Sequence, residues 1–203
     1  NASRPMTFAE MALQMHVTAA YGSDGFAYFP GVFPLDFAGS DSEGFRYAEK
    51  GGSSLIDING KPTIYCEWIR RLNRFFGRIE EDILSSELLG VTSYGIYQNG
   101  FTEEEIKNLP DNECIFRGKL PEMLQYKGDL KITCENEVMV STFIRNGKKR
   151  YYLINLSTTM ENQIMLQLSE ECYEMFTMED QKLITDQYTF RLNPGCGAYI
   201  KER

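Results

Sequence analysis

Few side chains in this sequence have the type and spacing that chemistry needs. Among its 203 residues there is one histidine, His16, so the usual catalytic triads and imidazole metal sites lack their commonest base and ligand. His16 follows Met15 in an apolar helical pattern, where an isolated imidazole is expected to be a hydrogen-bonded structural residue. The five cysteines, Cys66, Cys114, Cys134, Cys172 and Cys196, contain no C-x-x-C pair. Neither a zinc site nor a redox motif is therefore written here, and no metal or cofactor is expected. Buried free thiols in a reducing compartment are the expectation. Glu103-Glu104-Glu105 lack the glycine turn and oxygen-ligand spacing of a calcium loop and read as the first turn of a helix.

Composition narrows the field further. A formal charge of −8 and no dense basic cluster argue against nucleic acid or an anionic membrane surface as partner. The basic run Arg145 to Arg150 surrounds Asn146-Gly147 and reads as a solvated hairpin tip. No apolar run approaches the roughly 18 residues of a membrane span. The amino terminus has no signal-peptide pattern, and the expected location is the cytoplasm. Asn1-Ala2-Ser3 has the look of an expression-tag remnant, so the natural protein is expected to extend upstream.

The elements that must position these residues follow from periodicity. Thr7 and Glu10 have capping-box spacing, and Phe8, Met11, Ala12, Met15 and Ala19 recur at helical intervals up to Tyr21-Gly22. GFAYF, Gly25 to Phe29, reads as a short strand buried on both faces. Between Pro30 and Gly60 periodicity vanishes over a stretch far longer than the usual connection of about 4–6 residues. Pro62 then opens a helix predicted to run to about Leu84, with Ile64, Trp68, Leu72, Phe75, Ile79 and Ile83 as its apolar stripe. Trp68 is thereby a packing residue.

Beyond Ser85 the period shortens. Strands are predicted at Leu89 to Tyr97, Glu113 to Leu120, Leu130 to Glu135, Val138 to Arg145, Arg150 to Leu156, Gln163 to Leu168, Tyr173 to Met178, Lys182 to Thr185, Tyr188 to Leu192 and Ala198 to Lys201. A short surface helix is predicted over Phe101 to Leu109. Short strands with turn signals at this spacing suggest an antiparallel sandwich. Asn146-Gly147 is the strongest hairpin signal, and Asn193-Pro194-Gly195 marks a turn before the last strand. Tyr151, Tyr152, Tyr188 and Tyr199 alternate with aliphatic residues and are assigned to sheet packing.

The order of elements carries a resemblance. MALQMHVTAAYGSDGFAYFPG, the DINGKPT turn, KPTIYCEWIRRLNRFFGRI and LLGVTSYG together resemble the end of a clan-A glycoside hydrolase barrel, similar to the β-galactosidases of glycoside hydrolase family 42. The segments FIRNGKKRYYLINLS and FRLNPGCGAYIK resemble the accessory β-sandwich that follows such barrels. The resemblance implies an α+β chain: residues 1–86 a helix-strand-helix remnant of a (β/α)8 barrel with a long aromatic loop, and residues 87–203 a carboxy-terminal antiparallel β-sandwich. It places the two catalytic carboxylates on earlier strands, so no catalytic residue is assigned in this chain. Taken alone, the chain is expected to be inactive.

The same resemblance puts the loop after GFAYF at the substrate face of a barrel. Tyr28, Phe29, Phe33 and Phe37 become candidates for stacking on sugar rings, with Asp36 as a hydroxyl acceptor. Phe45 and Tyr47, with Asp41 and Glu43, extend the same loop. Carbohydrate is the implied partner through the parent enzyme. The alternative is a sandwich that binds a glycan or serves assembly without cleaving anything. A barrel end without its neighbours would expose Phe8, Met11 and Met15, so self-association of the chain is expected as well.

Overall fold

The computed structural model describes residues 6–28, 54–57, 59–94, 130–168, 172–185 and 187–203. Phe29, Phe33, Asp36, Phe37, Asp41, Glu43, Phe45 and Tyr47 lie outside the described residues. So do Cys114, the strand predicted over Glu113 to Leu120, the helix predicted over Phe101 to Leu109 and the Glu103-Glu104-Glu105 cluster.

Helix α1 spans Phe8–Ala20 and opens with the capping box its sequence announces. The Glu10 amide donates to Thr7 Oγ1 at 3.3 Å, and the Thr7 amide donates to Glu10 Oε2 at 2.8 Å. Two amides that the first turn leaves unpaired are satisfied this way. Ala12, Met15, His16, Ala19 and Ala20 are buried, which is one face of a 3.6-residue period. Gly22, at φ 77°, ends the helix in the left-handed region that glycine enters without steric cost.

GFAYF does not form the predicted strand. Gly25 to Tyr28 carry no strand pairing, and their apolar side chains pack on a helix instead. The Phe26 ring lies 4.8 Å from that of Phe76, and the Tyr28 hydroxyl donates to Asn73 Oδ1 at 2.7 Å. A short apolar run demands burial, but periodicity alone does not choose between sheet and helix as the cover.

Helix α2 covers Ile64–Phe76 and stops at Gly77. The chain turns through Arg78 and Ile79 before a short helix, α3, at Glu80–Leu84. One continuous helix to Leu84 is thus replaced by two, broken at the glycine. Leu72, Phe75 and Ile79 of the predicted stripe are buried, but in the first two turns the buried face is shifted by one residue. Tyr65, Ile69, Leu72, Phe75 and Phe76 are buried, whereas Ile64 is 57% exposed. Trp68 is half-buried and packs edge-on against Phe8 and Tyr65 at ring separations of 5.9 and 5.0 Å.

Nine strands follow among the described residues: β1 Glu87–Tyr94, β2 Lys131–Cys134, β3 Val138–Arg145, β4 Lys148–Asn155, β5 Asn162–Gln167, β6 Tyr173–Phe176, β7 Gln181–Ile184, β8 Gln187–Leu192 and β9 Gly197–Glu202. They form a six-stranded sheet, β1-β3-β4-β9-β6-β7, and a three-stranded sheet, β2-β5-β8. Every pairing among the described strands is antiparallel. The β3–β4 hairpin closes on Asn146 and Gly147 with φ of 54° and 77°, the primed turn that matches strand twist.

Alternation along the strands gives the larger sheet two buried faces. Met139, Phe143, Tyr152, Ile154, Phe176 and Tyr199 join Ala12, Met15, Leu72, Phe75 and Ile79 of the helical segment in one apolar cluster. Val138, Val140, Tyr151, Leu153, Met175, Ala198 and Ile200 point the other way, onto Ile164, Leu166, Phe190 and Leu192 of the small sheet. The molecule is α+β in three layers: helices, six strands, three strands. The expected antiparallel sandwich is present, and its outer face is roofed by α1 and α2. Of the stripe on which self-association is expected, Met15 is buried in this core and Phe8 and Met11 are half-buried against it.

Candidate functional site

Of the residues expected to stack on sugar, Tyr28 is the one whose position is described. Its hydroxyl donates to Asn73 on α2 and its ring packs beside the helical core, which makes it part of the attachment between the segment after α1 and α2. Burial moves its phenol above the ordinary value, partly offset by the Asn73 bond.

The polar centre that sequence reasoning missed lies between α3 and the sheet. Asp82 Oδ1 accepts from Arg145 Nη1 at 2.9 Å and Arg150 Nη2 at 3.4 Å. Its Oδ2 accepts from Arg150 Nε at 3.2 Å and the Tyr199 hydroxyl at 2.8 Å. Arg150 is 7% exposed and also donates to the Arg145 and Lys148 carbonyls. Burial raises the Asp82 carboxyl, but the bonds from Tyr199, Arg150 and Arg145 outweigh it and hold the group below the usual carboxylate value. Asp82 is therefore a fixed anion.

This overturns the reading of Arg145 to Arg150 as a solvated tip. Asn146, Gly147 and Lys148 are exposed, while Arg145 and Arg150 turn inward. The strand period held the signal, because Arg145 follows Phe143 and Arg150 precedes Tyr152 by two residues, which puts both arginines on the helix-covered face.

A second buried pair lies deeper. His16 is fully buried, its Nδ1 2.5 Å from the Tyr152 hydroxyl, with the Phe75 and Phe76 rings at 5.0 and 5.3 Å. Nε2 has no partner. Burial drives the imidazole down to about 3, and burial, followed by Cys196 and Tyr199, pushes the Tyr152 phenol well up. The structural role expected of His16 is what this geometry provides. Cys196, also buried, has its thiol pushed up to about 12 chiefly by burial and then by Glu179, so it is an inert thiol rather than a nucleophile. Cys66, Cys134 and Cys172 are free as well. Among the described residues no group of three or more His, Cys, Asp or Glu could hold a metal ion. None of the described helices is long and apolar enough to cross a membrane.

Among the described residues, a concavity lies at the small sheet. It is a hollow of about 400 Å³ lined by Tyr94, Leu130, Lys131, Ile132, Thr133, Met165, Gln167 and Gln187. Tyr94 closes one wall by donating to the Leu130 carbonyl at 2.9 Å. Two side-chain amides, a hydroxyl and an ammonium around Ile132 and Met165 can hydrogen-bond a polyhydroxylated ligand, but they contain no general acid, base or activated nucleophile. No protein-family model matches the chain, and neither a curated protein nor a solved structure does.

Proposed function

We propose that the chain is the carboxy-terminal part of a β-galactosidase-like glycoside hydrolase and acts there as a non-catalytic support. The helical segment belongs to the end of the barrel, and the β-sandwich holds it in place. The observation that carries this reading is the single apolar core shared by α1, α2 and the six-stranded sheet. Through this common core the sandwich holds the barrel end in position.

Purified chain should release no phenol from aryl β-galactosides or β-glucosides above the buffer blank, because two carboxylates must flank one bond at a defined separation of about 5–5.5 Å in a retaining enzyme. Turnover that a single Asp or Glu substitution in this chain abolishes would sink the proposal. In the full-length protein, Asp82→Ala should speed thermal inactivation and leave kcat/KM at 25 °C unchanged. Equal inactivation rates would remove the supporting role.

A second reading is favoured by the hollow on the small sheet: the sandwich holds a glycan itself. Affinity electrophoresis in gels containing soluble β-galactans and β-glucans reads this directly. Retardation that Lys131→Ala/Gln187→Ala removes is the expected result, and free migration in every gel would end this reading.

A further inference from the structure

His16 stands where the helical layer meets the sheet, and everything around it is built for a neutral ring. Phe75 and Phe76 of α2 cover it edge-on and tilted. Tyr152 of β4 supplies its one hydrogen bond. At Gly197 of β9 an added Cβ would lie 2.8 Å from Nδ1 and 2.9 Å from the Tyr152 ring, so the packing leaves no space for a methyl group. A protonated ring carries two N–H donors, and Nε2 has nothing to donate to.

The charged groups on the surrounding elements are committed elsewhere. On α2, Arg71 lies over the Phe8 ring, and Arg78, just beyond the helix, reaches the Thr177 and Asp180 carbonyls. Arg150 on β4 is held by Asp82. Lys201 on β9 pairs with Glu174. The titratable neighbours Tyr152, Tyr199 and Cys196 are uncharged at neutral and acid pH, since burial raises all three. Among the described residues, Tyr152 is the hydrogen-bond partner of the ring and burial is what acts on its charge.

The two layers of core are separate. The cluster on the far side of the six-stranded sheet is formed by strand residues and Leu130, with no helical member. The sandwich can therefore keep its inner core while the helices leave.

We infer that His16 makes the helical layer an acid-released cover: protonation of its ring undocks α1 and α2 from the six-stranded sheet and uncovers the face bearing Met139, Phe143, Tyr152 and Tyr199, while the sandwich stays folded. The docked form excludes the proton and the undocked form accepts it at an ordinary imidazole value of about 6.5. The undocked fraction therefore grows as pH falls, about tenfold per pH unit below about 6.5 and levelling near 3. Asp82, which ties α3 to the sheet, and Asp180, whose carbonyl holds Arg78, both have carboxyls held below the usual carboxylate value, so neither clamp is released between pH 6.5 and 4.5.

Amide exchange followed by NMR across that window tests the inference, with the intrinsic pH dependence of exchange divided out as protection factors. Protection of α1 and α2 amides should fall about 50-fold from pH 6.5 to 4.5, while β4 and β9 amides at the centre of the sheet keep theirs. Since His16 is the chain's one histidine, its ring signals can be read without assignment ambiguity and should stay neutral in the docked form. In His16→Gln the pH dependence should vanish. The inference is overturned if helix and strand amides lose protection together, if the docked ring titrates near 6.5, or if His16→Gln keeps the wild-type slope. Should His16→Gln fail to fold, the wild-type ring signals and the two sets of amides decide alone.

Discussion

Asp82→Ala is expected to lower the unfolding free energy by about 3–5 kcal/mol, the usual cost of removing one partner from a buried ion pair. The loss comes less from the bonds themselves than from what is left behind. Arg150, 7% exposed, would keep its full charge with only the Arg145 and Lys148 carbonyls to face. Tyr199 would lose the acceptor of its hydroxyl. Arg145, more exposed, could turn to water and contributes less.

Two controls separate these causes in urea unfolding. Asp82→Asn keeps the shape and removes the charge. Asp82→Ala/Arg150→Met removes both charges and should recover a large part of the loss, because an apolar stem in place of the cation leaves nothing unpaired. The pH dependence has a defined sign. The Asp82 carboxyl is depressed in the folded state, so its stabilisation is complete above its unfolded value of about 3.9 and is lost as pH falls through the folded one. Wild type and Asp82→Ala should converge in strong acid. Equal stability at pH 7 would mean that α3 is not clamped.

The same clamp shows what the sequence could and could not disclose. Strands with clean alternation were legible almost to the residue: Val138 to Arg145 was predicted and is observed, and its partner begins two residues before the predicted start at Arg150. The hairpin between them follows from Asn146-Gly147, because few other residue pairs tolerate two positive φ values in succession. Thr7 and Glu10 likewise announced a cap that depends on no distant contact. These features are local, so local pattern suffices to find them.

What failed depends on neighbours far along the chain. In the apolar run predicted as a buried strand, Gly25 and Ala27 are exposed and Phe26 and Tyr28 are half-buried, and the partners these two find are Phe76 and Asn73, about fifty residues later. The predicted stripe holds at Leu72, Phe75 and Ile79 and is one residue off in the first two turns of α2, because Ile64 and Trp68 are as apolar as Tyr65 and Ile69, and neighbours along α1 determine which pair turns inward. Asp82 met its partners 63, 68 and 117 residues away, a distance over which spacing carries no information. The candidate sugar-stacking loop rests on resemblance, and its described member, Tyr28, bonds Asn73 on α2.

The seat of α1 gives the second large effect. Gly195 stands in the turn between β8 and β9 at φ 68°, and a Cβ built there would lie 2.0 Å from the Ala9 carbonyl oxygen and 2.8 Å from its carbon. These are backbone atoms of the first turn of α1, which no rotamer change can move aside. Gly195→Ala therefore meets two penalties: about 1–2 kcal/mol for a side chain in the left-handed region, and a further overpacking cost of about 1–3 kcal/mol as the turn and helix are forced apart. A total loss of about 3 kcal/mol or more is expected in urea unfolding. Gly147 offers the matched control, since it has φ 77° with open space around the missing Cβ. Gly147→Ala should cost only the backbone part. The difference between the two variants measures how firmly the turn holds the helix, because the conformational penalty is common to both. If α1 is displaced, Trp68 emission should also shift, as its contact with Phe8 goes with the helix. Equal losses for Gly195→Ala and Gly147→Ala, with Trp68 emission unchanged, would show that α1 does not rest on this turn.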